Sequence, residues 1–365
     1  MLRSIILGTT AAITFGTTAM ADLSDKSWDE IVAQAQEEGE VVWFQWYFED
    51  RFREVVKGFE EEYGITVTLP DLDNGDFGLN KILAEGDREV GDVDVLSIPG
   101  SRADAVDIPA FFYGPLMPIL PGSENLTDQA EGGDWEGHAI KFWGNQTGIA
   151  YNSARTDFET LPQTFSELEA WMEANPGLLG FNFENGGSGP SLIHNISRNI
   201  LGITPDSVVE EIPDLAPVIA WFEDRQDQYV LTSGNNDSYA RLNDGEFEIV
   251  AVWEDGIGGQ IASGGMPDTM KVYLPEWGMN GGGNVVAIPD NAPNPAAALL
   301  LISWLTSAET QTELNVGFGA APSNAKADDT YALIPNSQRG NSTEWGDPMP
   351  SGDVVPVLIE QVFQN

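Results

Sequence analysis

The chain has 365 residues, of which 58 are acidic and 16 basic, so its formal net charge is −42 at pH 7. This excess of negative charge argues against binding to nucleic acids or to anionic membrane surfaces, both of which require cationic side chains. Cysteine is absent, which excludes disulfides and thiolate metal sites, whereas 42% hydrophobic residues and 11 tryptophans are typical of a well-cored globular protein.

The N-terminus has the pattern of a secretory signal peptide. A basic start at Arg3 precedes an apolar stretch from Ile5 to Phe15, and the small-residue site Ala19-Met20-Ala21 follows. We therefore expect residues 1–21 to be a signal peptide, with cleavage after Ala21. No later stretch approaches 18 unbroken apolar residues, so the mature chain is expected to be soluble and not membrane-embedded. An exported chain without a cysteine for a lipid anchor fits the periplasm.

The first part of the mature chain alternates helices with strands. Ser27 and Glu30 form a capping box for a helix that ends near Glu38. The apolar run EVVWFQWYF over 40–48 predicts a strand buried on both faces. This order predicts parallel β-α-β units, whose loops at the carboxyl ends of the strands make the binding surface. The next predicted elements are a helix over 53–64, a strand over 65–70, a helix over 79–86 and a strand over 92–100.

An irregular region over 102–135 leads into FWGNQTGIAYN, residues 142–152, where glycine and amide side chains interrupt a β-prone run. Further capping boxes are predicted from Thr164 to Glu167 and from Thr306 to Glu309. The remaining predicted elements are a strand, glycine-rich turn and helix over 180–201, a helix over 215–228, a turn and strand over 242–257, two β runs over 271–290 and a helix that opens at Asn294-Pro295.

Four stretches, in order, carry a resemblance to a known family. They are AQAQEEGEVVWFQW, WGNQTGIAYN, LNDGEFEIVAVWEDG and NVVAIPDNAPNPAAALLLISWLTSAETQTELNVGFGAAPSN. They resemble the opening helix and strand, the crossover between lobes, the strand leading to the cleft, and the return strand with closing helices of extracellular solute-binding protein family 1, the periplasmic receptors of ABC-type importers. The segment YLPEWGMNGGGN suggests a branch beside the iron, thiamine and polyamine receptors. The iron branch usually carries paired adjacent tyrosines, and this sequence has no Tyr-Tyr pair, which counts against ferric iron.

The resemblance implies a type II periplasmic-binding fold: an α/β protein with two lobes of mixed sheets flanked by helices and a ligand cleft between them. Lobe 1 is expected to comprise residues 22–143 and about 279–325, and lobe 2 residues 144–278 and about 326–365 with the closing helices. Residues 144–146 would then lie at the crossover, where glycine tolerates the rotation of closure and the amides face the cleft. The alternative is a bulged edge strand with a solvated Asn-Gln pair.

Candidate ligand contacts lie at predicted strand ends and in glycine-rich turns. Aromatic residues recur at strand ends, Trp143 among them, although any one of them could instead pack in a core. Backbone amides in ENGGSGPS precede a helix and could bind an anion, while NGGGN could let the backbone approach a ligand. The predicted contacts are Trp46, Tyr47, Gly100, Ser101, Asn145, Gln146, Asn185, Ser188, Trp253, Glu254, Asp255, Trp277 and Asn280.

The charge of the solute stays open at this point. Glu254 and Asp255 beside aromatic faces suit a small organic cation, thiamine-like or polyamine-like. The amides at 186–189 with Arg102 suit an oxyanion or a carboxylate.

Catalysis is not expected. Glu254 and Asp255 would point to opposite faces of a strand, the two histidines are isolated, and no P-loop or G-x-S-x-G motif is present. A secreted carboxylate-dependent hydrolase is the remote alternative. We expect no metal and no cofactor, and a monomer that delivers a small solute to an ABC permease and, through it, to an ATPase.

Overall fold

Two five-stranded sheets organise the chain. The fold is described here from a computed structural model, in which residues 23–364, except 73, 87 and 347, are placed. The predicted signal peptide lies outside the described residues. The strands are β1 (Glu40–Phe44), β2 (Thr66–Thr68), β3 (Val95–Pro99), β4 (Gln129–Ala130), β5 (Gly133–Asp134), β6 (Ala139–Trp143), β7 (Thr147–Asn152), β8 (Leu179–Asn182), β9 (Tyr229–Thr232), β10 (Ile249–Trp253), β11 (Met270–Tyr273), β12 (Met279–Asn280), β13 (Asn284–Ala287) and β14 (Ser342–Thr343).

Helices cover both sheets. Among the described residues, no helix is both long and apolar enough to cross a bilayer. The α-helices are α1 (Trp28–Glu38), α2 (Glu49–Val55), α3 (Lys57–Tyr63), α4 (Gly75–Ala84), α5 (Ile108–Phe111), α6 (Phe165–Ala174), α7 (Ser188–Leu201), α8 (Ala216–Glu223), α9 (Asn235–Asp244), α10 (Glu254–Ala262), α11 (Pro295–Leu305), α12 (Ala308–Phe318) and α13 (Ser351–Leu358).

The first sheet has the order β2-β1-β3-β13-β6 and the second has the order β11-β7-β10-β8-β9. In the first, β1 runs parallel to β2 and β3, whereas β13 is antiparallel to its two neighbours. In the second, β8 runs parallel to β9 and β10, whereas β7 is antiparallel to β10 and β11. The predicted α/β fold with two lobes of mixed sheets is therefore confirmed.

Separate apolar cores support the two sheets. Trp43 and Phe52 are fully buried in the first core, beside the almost completely buried helix α11. Phe181 and Phe222 occupy the second core, together with apolar residues of α13. Such independent cores are what a chain of this length needs in order to form two units.

Short crossover segments join the two sheets. The chain leaves β6 at Trp143, enters β7 at Thr147, and returns from β12 to β13 through residues 281–283. These two segments are tied together, because Gly282 N donates to Asn145 O at 2.9 Å. Residues 144–146 thus connect the sheets and do not form a bulged edge strand. The residue boundaries given above for the two lobes remain a prediction.

The predicted capping boxes and helices agree with the structure in part. The capping boxes at Ser27 and Thr164 are present. The one predicted from Thr306 is wrong, because the Thr306 hydroxyl donates back to Ile302 O while Ser307 accepts from Thr310 N and caps α12. The helix predicted over 53–64 is divided at Val56 into α2 and α3.

Candidate functional site

A cavity of about 480 Å³ lies between the two sheets, at the carboxyl ends of their parallel strands. Both lobes contribute to its wall, as the sheet topology requires of a site at this edge. The lining residues are Trp46, Tyr47, Phe48, Pro99, Glu131, Trp143, Asn145, Asn185, Asn235, Asn236, Tyr239, Trp253, Asp255, Gly256, Gln260, Gly282, Gly283 and Asn284.

Aromatic rings form much of this wall. Strand β1 ends at Phe44, earlier than predicted, so Trp46 and Tyr47 lie in the loop beyond it with ring centroids 4.9 Å apart. The Tyr47 hydroxyl accepts from Asn284 Nδ2 at 2.7 Å, which fixes the ring on the first lobe. Across the crossover, a Cβ on Gly282 would come within 2.4 Å of the Trp253 ring, so only glycine lets the backbone pass so close.

Asp255 is the most buried carboxylate on the cavity wall, with 5% of its surface exposed. Its Oδ2 accepts from Trp143 Nε1 at 3.1 Å, and its backbone N donates to Asn145 Oδ1 at 3.4 Å. Burial raises the pKa of Asp255 to about 6, although the Trp143 N–H favours the charged form. The carboxylate therefore lies at the cleft without an ion-pair partner among the described residues.

Glu131 is a second carboxylate on the wall, and it was not predicted as a ligand contact. It lies in the glycine-rich turn between β4 and β5 with a φ of 53°. Its Oε2 accepts from the Ser101 hydroxyl at 2.9 Å and its Oε1 accepts from Gly283 N at 3.1 Å. Burial raises the pKa of Glu131, so this carboxyl too has lost part of its hydration. The predicted contact Ser101 thus holds a wall residue and does not line the cavity itself.

Glu254 does not line the cavity, contrary to the prediction. It is fully buried, and Arg339 donates to its carboxylate from Nη1 at 3.1 Å and from Nη2 at 2.9 Å. Burial raises the pKa of Glu254 to about 7 even though Arg339 favours its charged form. The two acids do not share a strand, because β10 ends at Trp253 and both belong to the first turn of α10. In this helical turn, Glu254 contacts Arg339 and Asp255 faces the cleft.

Four other predicted contacts are buried supports and do not line the cavity. The Gln146 amide donates to the backbone oxygens of residues 147, 279 and 280 and accepts from Ser342. Asn280 bonds the buried His194. The Ser188 hydroxyl lies within hydrogen-bond distance of Asn182 Oδ1 and Asn235 Oδ1. Trp277 is 5% exposed and packs in the second core. Each of these side chains is hydrogen-bonded or packed inside the protein.

Gly100 lies just behind the wall, where Trp135 Nε1 donates to its carbonyl oxygen at 2.9 Å. Arg102 is exposed and paired with Asp76, so it does not join the amides at 186–189 in an anion site. Among the predicted contacts, the cavity wall contains Trp46, Tyr47, Asn145, Asn185, Trp253 and Asp255. Their contact with a solute stays a prediction.

The residues that follow the short strand β9 line the cavity and were not predicted from the sequence. Asn235 and Asn236 open α9, and Tyr239 lies one turn later, where its hydroxyl accepts from Trp253 N at 3.3 Å. The stretch TSGNNDSY after a β run was the available signal, since the rule that picked Trp253 applies there equally.

The residues that line the cavity give it a negative charge. Its described lining holds two carboxylates, five asparagines, one glutamine and no lysine or arginine. Aromatic faces beside carboxylates provide ion pairing and cation–π contact for a positively charged guest. Within the described part of the chain, no group of three His, Asp or Glu side chains is arranged to hold a metal ion.

Comparison with solved structures identifies proteins of the same fold. PotD of Streptococcus pneumoniae, a spermidine/putrescine ABC transporter substrate-binding protein in complex with calcium and HEPES, matches with TM-score 0.65 and 15% identity, over 88% of this chain and 98% of that one. Iron-bound HitA of Pseudomonas aeruginosa matches with TM-score 0.64 and 15% identity, over 88% and 99%. The Atu4243 GABA receptor matches with TM-score 0.63 and 18% identity, over 89% and 96%. At these identities the likeness shows the fold alone.

A search of curated proteins gave no match. The model of the family described as bacterial extracellular solute-binding protein matches residues 54–338, which is most of the chain. The resemblance inferred from the sequence is thus confirmed, and the chain belongs to the bacterial extracellular solute-binding protein family.

Proposed function

We propose that this protein is a periplasmic receptor that binds a small organic cation and delivers it to an ABC-type importer. The observation that carries the proposal is the cavity between the lobes, whose described wall combines Asp255 and Glu131 with aromatic rings and lacks lysine and arginine. A guest amine would restore to Asp255 the stabilisation that burial removes. The structural relatives named above include receptors for a polyamine, for iron and for GABA, so the fold accommodates guests of different charge.

Closure of the lobes is part of this proposal. Solute would bind one lobe first, the crossover segments would rotate, and the closed form would dock on a two-subunit permease driven by an ATPase. A solute shifts the open and closed populations only through its different contacts with the two states. Trp46 and Tyr47 on one lobe and Trp253 and Asp255 on the other line the same cavity, so closure would bring them nearer to a small guest.

Matched four-carbon probes test the charge of the guest. Putrescine, γ-aminobutyrate and succinate have similar length and carry two positive charges, one of each sign, and two negative charges. Thermal shift followed by calorimetry should detect saturable binding of putrescine or of the larger cations spermidine and thiamine, and none of succinate. Stabilisation by succinate alone would reverse the assignment in favour of the oxyanion or carboxylate alternative.

Scattering and product analysis complete the test. In small-angle scattering, addition of a cation that binds should reduce the radius of gyration of the protein, and an unchanged radius would contradict closure. The cation should be recovered unaltered after prolonged incubation. A chemically changed product would favour the carboxylate-dependent hydrolase, for which Glu254 is poorly suited because Arg339 already binds it.

A further inference from the structure

Amide side chains line the solute cavity beside its aromatic rings and its two carboxylates. They are Asn145, Asn185, Asn235, Asn236, Asn284 and Gln260. An amide carries an acceptor oxygen and an NH₂ group with two donor hydrogens. The cavity wall therefore offers donors as well as acceptors, and a guest has to match both.

Two of these amides are held by the protein at one end. Asn185 Nδ2 donates to Ser233 O at 2.8 Å, and its Oδ1 makes no hydrogen bond with any described residue. Asn284 Nδ2 donates to the Tyr47 hydroxyl at 2.7 Å, and its Oδ1 likewise has no partner in the described part of the chain. These amides are fixed in orientation, and each keeps an acceptor oxygen that a guest could use.

Asn236 and Gln260 have both ends of the amide unbonded. Asn236 is exposed near the start of α9 and Gln260 is exposed on α10, and neither side chain bonds another of the described residues. An exposed amide is hydrated in the empty cleft. Once a guest and the closing lobes displace that water, an amide group without a new partner costs free energy.

An aliphatic polyamine satisfies only part of such a wall. Its ammonium groups donate hydrogen bonds and accept none, so they can pair with carboxylates and amide oxygens but not with amide N–H groups. A hydroxyl group both donates and accepts. The C–H groups between hydroxyls can also pack against the rings of Trp46 and Trp253 on opposite sides of the cavity.

We propose that the guest is a hydroxylated amine, a cation that carries several hydroxyl groups, as an amino sugar does. The inference rests on the proposed cation-receptor function and narrows its substrate class. The ammonium group would pair with Asp255, and the hydroxyls would accept from the N–H groups of Asn236 and Gln260 and donate to the free amide oxygens. The cavity volume of about 480 Å³ lies in the range of small-molecule sites.

Three six-membered rings separate the contribution of the charge from that of the hydroxyls. Glucosamine carries an ammonium group and hydroxyls, cyclohexylamine carries the ammonium group alone, and glucose carries the hydroxyls alone. In calorimetry with the full mature chain at neutral pH, glucosamine should bind about tenfold or more tightly than either of the other rings, because only glucosamine meets both the carboxylate and the amides.

Variants of the two unbonded amides test the assignment of residues. Asn236→Ala and Gln260→Ala should each weaken glucosamine binding about 2- to 12-fold, the effect of one neutral hydrogen bond, and leave cyclohexylamine binding unchanged. Asn80→Ala is the matched control, since Asn80 is an exposed asparagine on α4 outside the cavity, and it should behave as the wild type. An equal loss for both amines in the two cavity variants would show that these amides shape the wall without recognising hydroxyls, which would count against the inference.

The outcomes distinguish this inference from the receptor function. Cyclohexylamine or putrescine binding as tightly as glucosamine would overturn the hydroxylated guest and leave the cation receptor standing. Glucose binding as tightly as glucosamine would also overturn it, because the charge would then contribute nothing. No binding of any amine, putrescine included, would overturn the proposed receptor function itself and this inference with it.

Discussion

Asp255→Asn should weaken cation binding and, at the same time, stabilise the empty protein. In the proposed complex the Asp255 carboxylate pairs with the guest cation inside a cleft, and such a charge-assisted hydrogen bond contributes about 1.5–3 kcal/mol. Its loss corresponds to an affinity about 10- to 150-fold lower. Asparagine keeps the size of the side chain and can still accept from Trp143 Nε1, so the wall should keep its shape.

The stability effect has the opposite sign. Burial moves the pKa of Asp255 from an ordinary 3.8 to about 6. A difference of about two pH units represents a cost near 3 kcal/mol for the ionised folded form. For an acid with a raised folded-state pKa, stability is lost as the pH rises from the unfolded value through the folded one. The variant escapes this cost, so its advantage should reach about 3 kcal/mol at pH 8 and shrink to about 1 kcal/mol at pH 4.5.

Calorimetry with putrescine, or with whichever cation binds the wild type, measures the first effect. Urea unfolding of the empty protein at pH 8 and pH 4.5 measures the second. Asp76→Asn is a suitable control, since that aspartate is exposed and pairs with Arg102 at the surface. Unchanged cation affinity would remove Asp255 from the site. A variant equally destabilised at both pH values would show that the carboxylate supports the fold, which would refute the electrostatic reasoning.

Three further outcomes are expected. Cation affinity should be about tenfold weaker at pH 5 than at pH 8, because Asp255 protonates near pH 6. Binding at pH 6 should therefore release about half a proton. Equal binding heats in buffers of different ionisation enthalpy would contradict this proton release. Trp253→Ala should reduce the affinity for the cation with little loss of stability, because Trp253 lines the cavity. Trp277→Ala should leave the affinity unchanged and cost about 3–5 kcal/mol of stability in urea unfolding, because Trp277 packs in the second core. The reverse result would exchange the roles of the two tryptophans. Glu254→Ala should destabilise by about 3–5 kcal/mol because it removes the fully buried partner of a partly exposed Arg339. The double change of both residues to Met should recover much of this loss, and no recovery would mean that the ion pair is not the cause.

The sequence predicted the fold and the position of the cleft better than the identity of the residues that line it. Period-2 and helical patterns, with capping residues, are local signals, and they located most strands and helices. The crossover at 144–146 was recognised because amides and glycine interrupt a β run between two apolar segments. Placing a binding site at the carboxyl ends of parallel strands then follows from topology alone.

Whether a polar side chain points to a cleft or to a core depends on contacts between distant parts of the chain. Gln146 and Asn145 are neighbours at the crossover, yet one is buried against backbone carbonyls near residue 280 and the other faces the solute cavity. Glu131 was overlooked for the same reason, since its partners Ser101 and Gly283 are 30 and 152 positions away. No window of local sequence contains such information.

The adjacent acids Glu254 and Asp255 show why local sequence does not identify the residues that line the cavity. Both are acidic, both are buried and both start the same helix, so nothing in their local sequence distinguishes them. Arg339, which lies 85 positions from Glu254 in the sequence, compensates that charge inside the protein. The side-chain donors to Asp255, Trp143 and Asn145, are neutral N–H groups, and the carboxylate lies on the wall of the cavity. A buried carboxylate without a cation in ion-pair contact destabilises the empty protein, and under the proposed function the same deficit would make a cationic guest favourable in the cleft.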